Sequence, residues 1–191
     1  MDESVVQALA KWPNVPHCYG WLALDRRGRW RMRDEHAQAH GLLGDIIRHD
    51  ALRAFIDRNY AADEHGAWFF QNGPQRVYVE LEATPFVMFA DDRGWVTQTG
   101  QRVDHPAACL VDDDGHAYLE AAGSIGLVCD RDLQAFIDAL DGSAEQLADA
   151  PERLRLKWRD GDGSTALARV AAATLPARYG YVGHPSAALA T

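Results

Sequence analysis

Cys18, flanked by His17 and Tyr19, comes nearest in this chain to a nucleophile by type and neighbours. A thiolate attacks where a thiol does not, so that role requires a cation or similar influence to depress the thiol pKa. His36 and His40, in His36-Ala37-Gln38-Ala39-His40, have the i, i+4 spacing that sets two imidazoles on one helix face. Zinc accepts such a pair when a third ligand joins it. The Glu that metalloproteases carry beside the first His is missing from inside the pair, and Gly41 and Gly44 follow at once. A polar surface segment accounts for the stretch equally well. The acidic runs Asp112-Asp113-Asp114-Gly115 and Asp160-Gly161-Asp162-Gly163 invite a calcium reading. Aligning Gly115 or Gly163 with the glycine of an EF-hand loop puts Leu110 or Trp158 at the first ligand position, and neither can ligate. The sequence contains no G-x-S-x-G elbow, no Gly-rich phosphate loop and no Ser-x-x-Lys. Cys18 is thus the candidate nucleophile and His36 with His40 the candidate metal pair, while no cofactor is implied.

Composition bounds the class. The chain has 191 residues, 47% apolar and 25% charged, the make-up of a soluble globular protein. Its net charge of −9 repels a phosphate backbone, so a nucleic-acid partner is not expected. Basic residues cluster once, at Arg26, Arg27, Arg29, Arg31 and Arg33. The last three share one face of a strand, either as a solvated hairpin face or as an anion-binding strip. Cys18, Cys109 and Cys129 form no CxxC pair, which fits reduced thiols in a cytoplasm. Met1-Asp2-Glu3-Ser4 is acidic where a signal peptide is basic, and no apolar run approaches the ~20 residues that span a bilayer. A cytoplasmic protein without a membrane partner is expected.

The elements that must position these residues are hairpins. Five Asp-x-x-Gly tetrads begin at Asp25, Asp63, Asp91, Asp112 and Asp160. Asp opening a type I turn bonds backbone amides two residues on, and Gly at its end takes the left-handed conformation that starts the returning strand with a bulge. Arg76 to Glu82 alternates, with Val77, Val79 and Leu81 expected on the core side and Tyr78, Glu80 and Glu82 on the wet side. Residues 67 to 99 read as a meander, in which Phe86-Val87-Met88-Phe89 is central. Leu52-Arg53-Ala54-Phe55-Ile56-Asp57 recurs as Leu133-Gln134-Ala135-Phe136-Ile137-Asp138, five of six letters identical at an offset of 133 − 52 = 81. Each stands after a hairpin and an apolar pair, and each has an Asp able to cap it, Asp50 in one case and Asp130 or Asp132 in the other. Helices are also expected over residues 2–11, with Val5, Val6 and Leu9 on one face, and near 144–150. Residues 175–191 should be extended. The fold class is therefore α+β, with antiparallel sheets built from repeated units of β-hairpin plus short helix. The expected division is a unit of residues 1–66 and a β-rich unit of residues 67–191.

The segments Asn14 to Trp21, Phe69 to Phe86 and Gly126 to Leu133 resemble a family of uncharacterised proteobacterial proteins. More distantly, the order of hairpin, helix, strand, turn, then Glu82 ahead of Pro85-Phe86 is similar to a second family of unknown function. The resemblance implies a two-part α+β fold with repeated motifs and a link to signalling, and it brings no catalytic set to transfer. The expected function is a non-enzymatic cytoplasmic binding or regulatory module, with a possible homodimer through a sheet edge and an unknown protein or small-molecule ligand. The alternative is a hydrolase using Cys18 or a metal held by His36 and His40.

Overall fold

In a computed structural model the structure describes residues 2–12 and 15–187, which form two compact units that divide between Ala83 and Thr84. The first unit comprises the residues up to Ala83 and those from Tyr181 onward, and the second is Thr84–Gly180. The division expected at residue 66 falls inside the first unit, because the strands on either side of Gly73 complete that unit's sheet.

The first unit runs α1 (Glu3–Lys11), β1 (Cys18–Leu24), β2 (Trp30–Met32), α2 (Glu35–Ala39), β3 (Asp45–Ile46), α3 (Asp50–Arg58), β4 (Tyr60–Ala62), β5 (Trp68–Asn72) and β6 (Gln75–Leu81). Its sheet has the order β3-β2-β1-β6-β5-β4. Two antiparallel meanders meet along one parallel seam, β1 against β6. The Asp-x-x-Gly turns close the hairpins as their chemistry requires: Gly28 and Gly66 take φ of 72° and 79° and donate their amides to Asp25 and Asp63 carbonyls. Leu22, Leu24, Trp30, Ile56, Phe70, Val79 and Leu81 are buried, and α3 packs on β5 through Phe55 against Phe70.

The second unit runs β7 (Phe86–Asp91), β8 (Gly94–Thr97), β9 (Arg102–Val103), β10 (Cys109–Val111), β11 (Ala117–Ala121), β12 (Ser124–Val128), α4 (Leu133–Asp138), α5 (Ala144–Asp149), β13 (Arg155–Lys157), β14 (Ser164–Arg169) and α6 (Leu175–Tyr179). The sheet order is β13-β14-β10-β11-β12-β7-β8-β9. Phe86–Asp91 is central, but its neighbours are β8 and the parallel β12, not the strand Gln75–Leu81. A second parallel seam joins β10 to β14.

The strand orders match around the two similar helices. In the first unit a meander (β1-β2-β3) precedes α3, and the last strand of the next hairpin returns parallel to β1. In the second unit a meander (β10-β11-β12) precedes α4, and the last strand of the β13-β14 hairpin returns parallel to β10. Even β4, which pairs with β5, has a counterpart in the single bridge between Leu140 and Leu156.

Several local expectations differ from the structure. Ser143 caps α5 with a full capping box, as the helix near 144–150 requires. By contrast α3 is capped by His49, whose Nδ1 accepts the Leu52 amide, while Asp50 is its first helical residue and pairs with Arg53. Val6 is 52% exposed, because only the Val5 side of α1 meets the core. The segment from Leu175, expected to be extended, forms α6: Pro176 sits in its first turn, where the missing amide costs nothing, and Gly180 ends it in the left-handed conformation. Residues 188–191 of that stretch lie outside the described residues.

Candidate functional site

A cleft with a volume of about 200 Å³ lies within the first unit. Three pieces of chain build it. The floor is an aromatic stack: Tyr19 of β1 and Tyr78 of β6 lie with ring centroids 4.6 Å apart and planes inclined by 2°. The parallel register Cys18↔Val77 brings these two strands level, and the irregularity between Cys18 and Leu22, with Gly20 at φ 81°, lets β1 bend there. The wall is the Asp63–Ala67 turn between β4 and β5, with Asp63, His65 and Ala67 facing the space. The rim is the returning C-terminal segment, which holds its place through Val182 N–H to Gly66 O (2.9 Å) and Leu81 N–H to Gly183 O (2.8 Å). From it Val182, Pro185 and Ser186 border the cleft.

Asp63 is the fixed charge of this site. Its Oδ1 accepts the amides of His65 and Ala67, each at 2.9 Å, and its Oδ2 accepts the Tyr78 hydroxyl at 2.9 Å. Burial alone would raise its pKa, but the Ala67 amide, the Tyr78 hydroxyl and the His65 amide outweigh burial and hold it below the usual carboxylate range. Tyr78 is raised, first by burial and also by the carboxylate it donates to. The site therefore presents an ionised carboxylate beside a neutral phenol on an aromatic face.

The residues singled out by sequence lie elsewhere or are engaged. Cys18 is half-buried on β1, and burial raises its pKa, so the thiol is protonated at neutral pH. His36 and His40 do share a face of α2, with ring centroids 4.2 Å apart. Both are exposed, and among the described residues no third His, Cys, Asp or Glu joins them in ligand geometry. The group that does converge is Asp112, Asp114 and His116, whose ligand atoms lie within 4.8 Å of one another. Asp112 is already committed there, to the amides of Asp114 and His116, the Tyr118 hydroxyl and the His116 ring. The arginine strip is likewise used internally: Arg29 and Arg31 converge on Asp25, and Arg33 reaches the Leu42 carbonyl and Glu80. Of the tryptophans, Trp95 and Trp158 border a second recess of about 10 Å³, room for a single water. Among the described residues the large exposed apolar side chains are Val6, Trp12, Trp21, Met32 and Leu42, all in the first unit, whereas Trp95 is buried.

Sequence reasoning missed Tyr19 and Tyr78 as a pair. Tyr78 was expected on the wet face of its strand, yet it is 4% exposed, because Tyr19, Phe69 and Val182 cover it. Asp63 was visible as a turn residue, but nothing local marks which turn borders a cleft.

A family model named DUF2944, whose description reads "Protein of unknown function (DUF2946)", matches residues 1–186. The chain belongs to that family. Among curated proteins, none matches. Among solved structures, the chain is similar to a DUF1285 family protein from Silicibacter pomeroyi DSS-3, with 16% identity, a TM-score of 0.50, and coverage of 81% of this chain and 83% of that one. A DUF1285 family protein from Shewanella baltica OS155 is also 16% identical, with a TM-score of 0.44 over 62% of this chain and 91% of that one. The first likeness supports the two-part mixed fold. It carries no activity with it. Among the described residues no helix is long and apolar enough to cross a membrane.

Proposed function

We propose that the protein is a non-enzymatic binding module of the cytoplasm, with a regulatory role exerted through a small ligand held in the first unit's cleft. The observation that carries this reading is the cleft itself: a stacked tyrosine pair beside the ionised Asp63, bordered by a chain segment that returns from about a hundred residues away. A concave, partly apolar space with a few fixed polar groups is what a ligand site requires. The turn carboxylates Asp25 and Asp112 support it from the other side, since their hydrogen bonds spend them on the fold. The matching strand orders around α3 and α4 fit an internal repeat in which the first copy carries the cleft. Thermal denaturation of the full chain against a panel of small metabolites tests the reading. At least one compound should raise the midpoint, and Tyr19→Leu should remove that shift. A panel without a single shift, or one whose shifts survive Tyr19→Leu, overturns it.

A further inference from the structure

The cleft also selects the charge and size of its occupant, an inference that rests on the binding reading above. At about 200 Å³ it is smaller than the ~300 Å³ lower end of sites for drug-sized ligands, so the occupant is a small metabolite. Asp63 Oδ1 is saturated by two backbone amides, whereas Oδ2 accepts one hydroxyl. A carboxylate oxygen has two lone pairs, so Oδ2 retains an acceptor position. Among the described residues lining the cleft none is Lys or Arg; Arg76, just outside the lining, lies over the Phe69 ring and also reaches the Tyr78 hydroxyl. An anion entering here meets the fixed negative charge of Asp63 and no Lys or Arg on the cleft lining itself. A cation meets that charge and the half-exposed Tyr19 ring stacked on Tyr78.

We propose that the cleft binds a small protonated primary amine, its ammonium donating to Asp63 Oδ2 and resting against the Tyr19–Tyr78 stack. A primary ammonium fits better than a quaternary one because the retained acceptor needs an N–H. His65, exposed on the same turn, lines the cleft beside Asp63 and lies 3.6 Å from Glu64.

Isothermal titration of the full chain at neutral pH with 2-phenylethylamine, 2-phenylethanol and phenylacetate tests the inference with one ring in three charge states. The amine should bind about tenfold more tightly than the alcohol, and phenylacetate more weakly than either. Asp63→Asn, which keeps an acceptor for the turn amides, should bring amine and alcohol together. Tyr19→Leu, chosen in case Asp63→Asn disturbs folding, should weaken the amine about fivefold or more. If the alcohol or phenylacetate binds as tightly as the amine, the charge selection is wrong while the cleft stands as a site. If none of the three binds, the amine inference falls, and the metabolite panel decides the binding reading separately.

Discussion

The turns Asp63–Ala67 and Asp112–His116 have the same skeleton and opposite fates. In both, the first amide bonds the fifth carbonyl at 3.0 Å, and Gly66 or Gly115 donates back to the Asp carbonyl. In both, Oδ1 takes the third and fifth amides, and Oδ2 takes a tyrosine hydroxyl, Tyr78 at 2.9 Å or Tyr118 at 2.7 Å. The difference is the fifth residue. His116 folds its Nδ1 onto Asp112 Oδ2 at 3.0 Å and helps leave Asp112 5% exposed. Ala67 cannot do this, and Asp63 stays half-buried beside the cleft. One side chain decides whether a turn carboxylate is consumed by the fold or left facing a ligand space.

The largest test of that contrast is removal of each carboxylate. Asp112→Ala strands buried donors and should cost about 3–4 kcal/mol, against about 1–2 kcal/mol for Asp63→Ala, where water in the cleft replaces part of what is lost. Urea unfolding followed by tryptophan fluorescence measures both, and equal costs would erase the distinction between a closed and an open turn. The same carboxylates shape the acid limb. Burial raises Asp112, but the Tyr118 hydroxyl and the His116 amide and ring outweigh it, so its folded pKa lies below the ordinary value, as does that of Asp63. A depressed carboxylate contributes stability that is complete above the unfolded pKa of about 3.9 and is lost as pH falls through the folded value. Lowering the pH below about 4 should therefore reduce the urea midpoint, and Asp112→Asn should flatten that fall.

The tyrosines give a smaller effect with the same logic. Tyr118→Phe removes a donor from a closed site and should cost about 1.5 kcal/mol; Tyr78→Phe should cost about 0.5 kcal/mol, because water reaches Asp63. If Tyr78→Phe proves the more damaging, Asp63 is as closed as Asp112 and the cleft loses its acceptor.

These turns were readable from the chain because their chemistry is local: Asp at one position and Gly three later dictate the bonds. The α+β class and the central place of Phe86–Asp91 followed from alternation and lack of charge. The parallel seams did not, since β1 and β6, like β10 and β14, are more than fifty residues apart and no short-range signal selects parallel pairing. The cleft was hidden for the same reason, its rim arriving from Val182 to Ser186. The twin helices show a subtler limit. Ile56 is the residue buried in α3, but Phe136 is the one buried in α4, although the letters align Phe55 with Phe136. His49 caps α3 directly, whereas α4 is entered through a 3-10 turn at Asp130–Asp132; both helices turn the same Leu-Phe-Ile side inward, with a different member of it buried deepest.

The smallest effect separates side-chain bonding from backbone conformation in these turns. The loop between β11 and β12 has only two residues, Ala122 at φ 51° and Gly123 at φ 74°, flanked by the pair Ala121↔Ser124. Both positive values define the hairpin turn that favours Asn-Gly, and here an exposed alanine occupies the first position without an Asp to help it. Ala122→Asn should stabilise the protein by about 0.5–1 kcal/mol, since asparagine tolerates the left-handed region that strains alanine. Gly115→Ala is the matching loss: φ is 82° and no atom lies within 4 Å of an added Cβ, so its cost of about 1 kcal/mol would be conformational alone. Urea midpoints should move in opposite directions by similar amounts. A Gly115→Ala variant as stable as the parent would mean that the four bonds to Asp112 hold the turn whatever its glycine does, and that the fifth residue matters even more than the comparison with Asp63 requires.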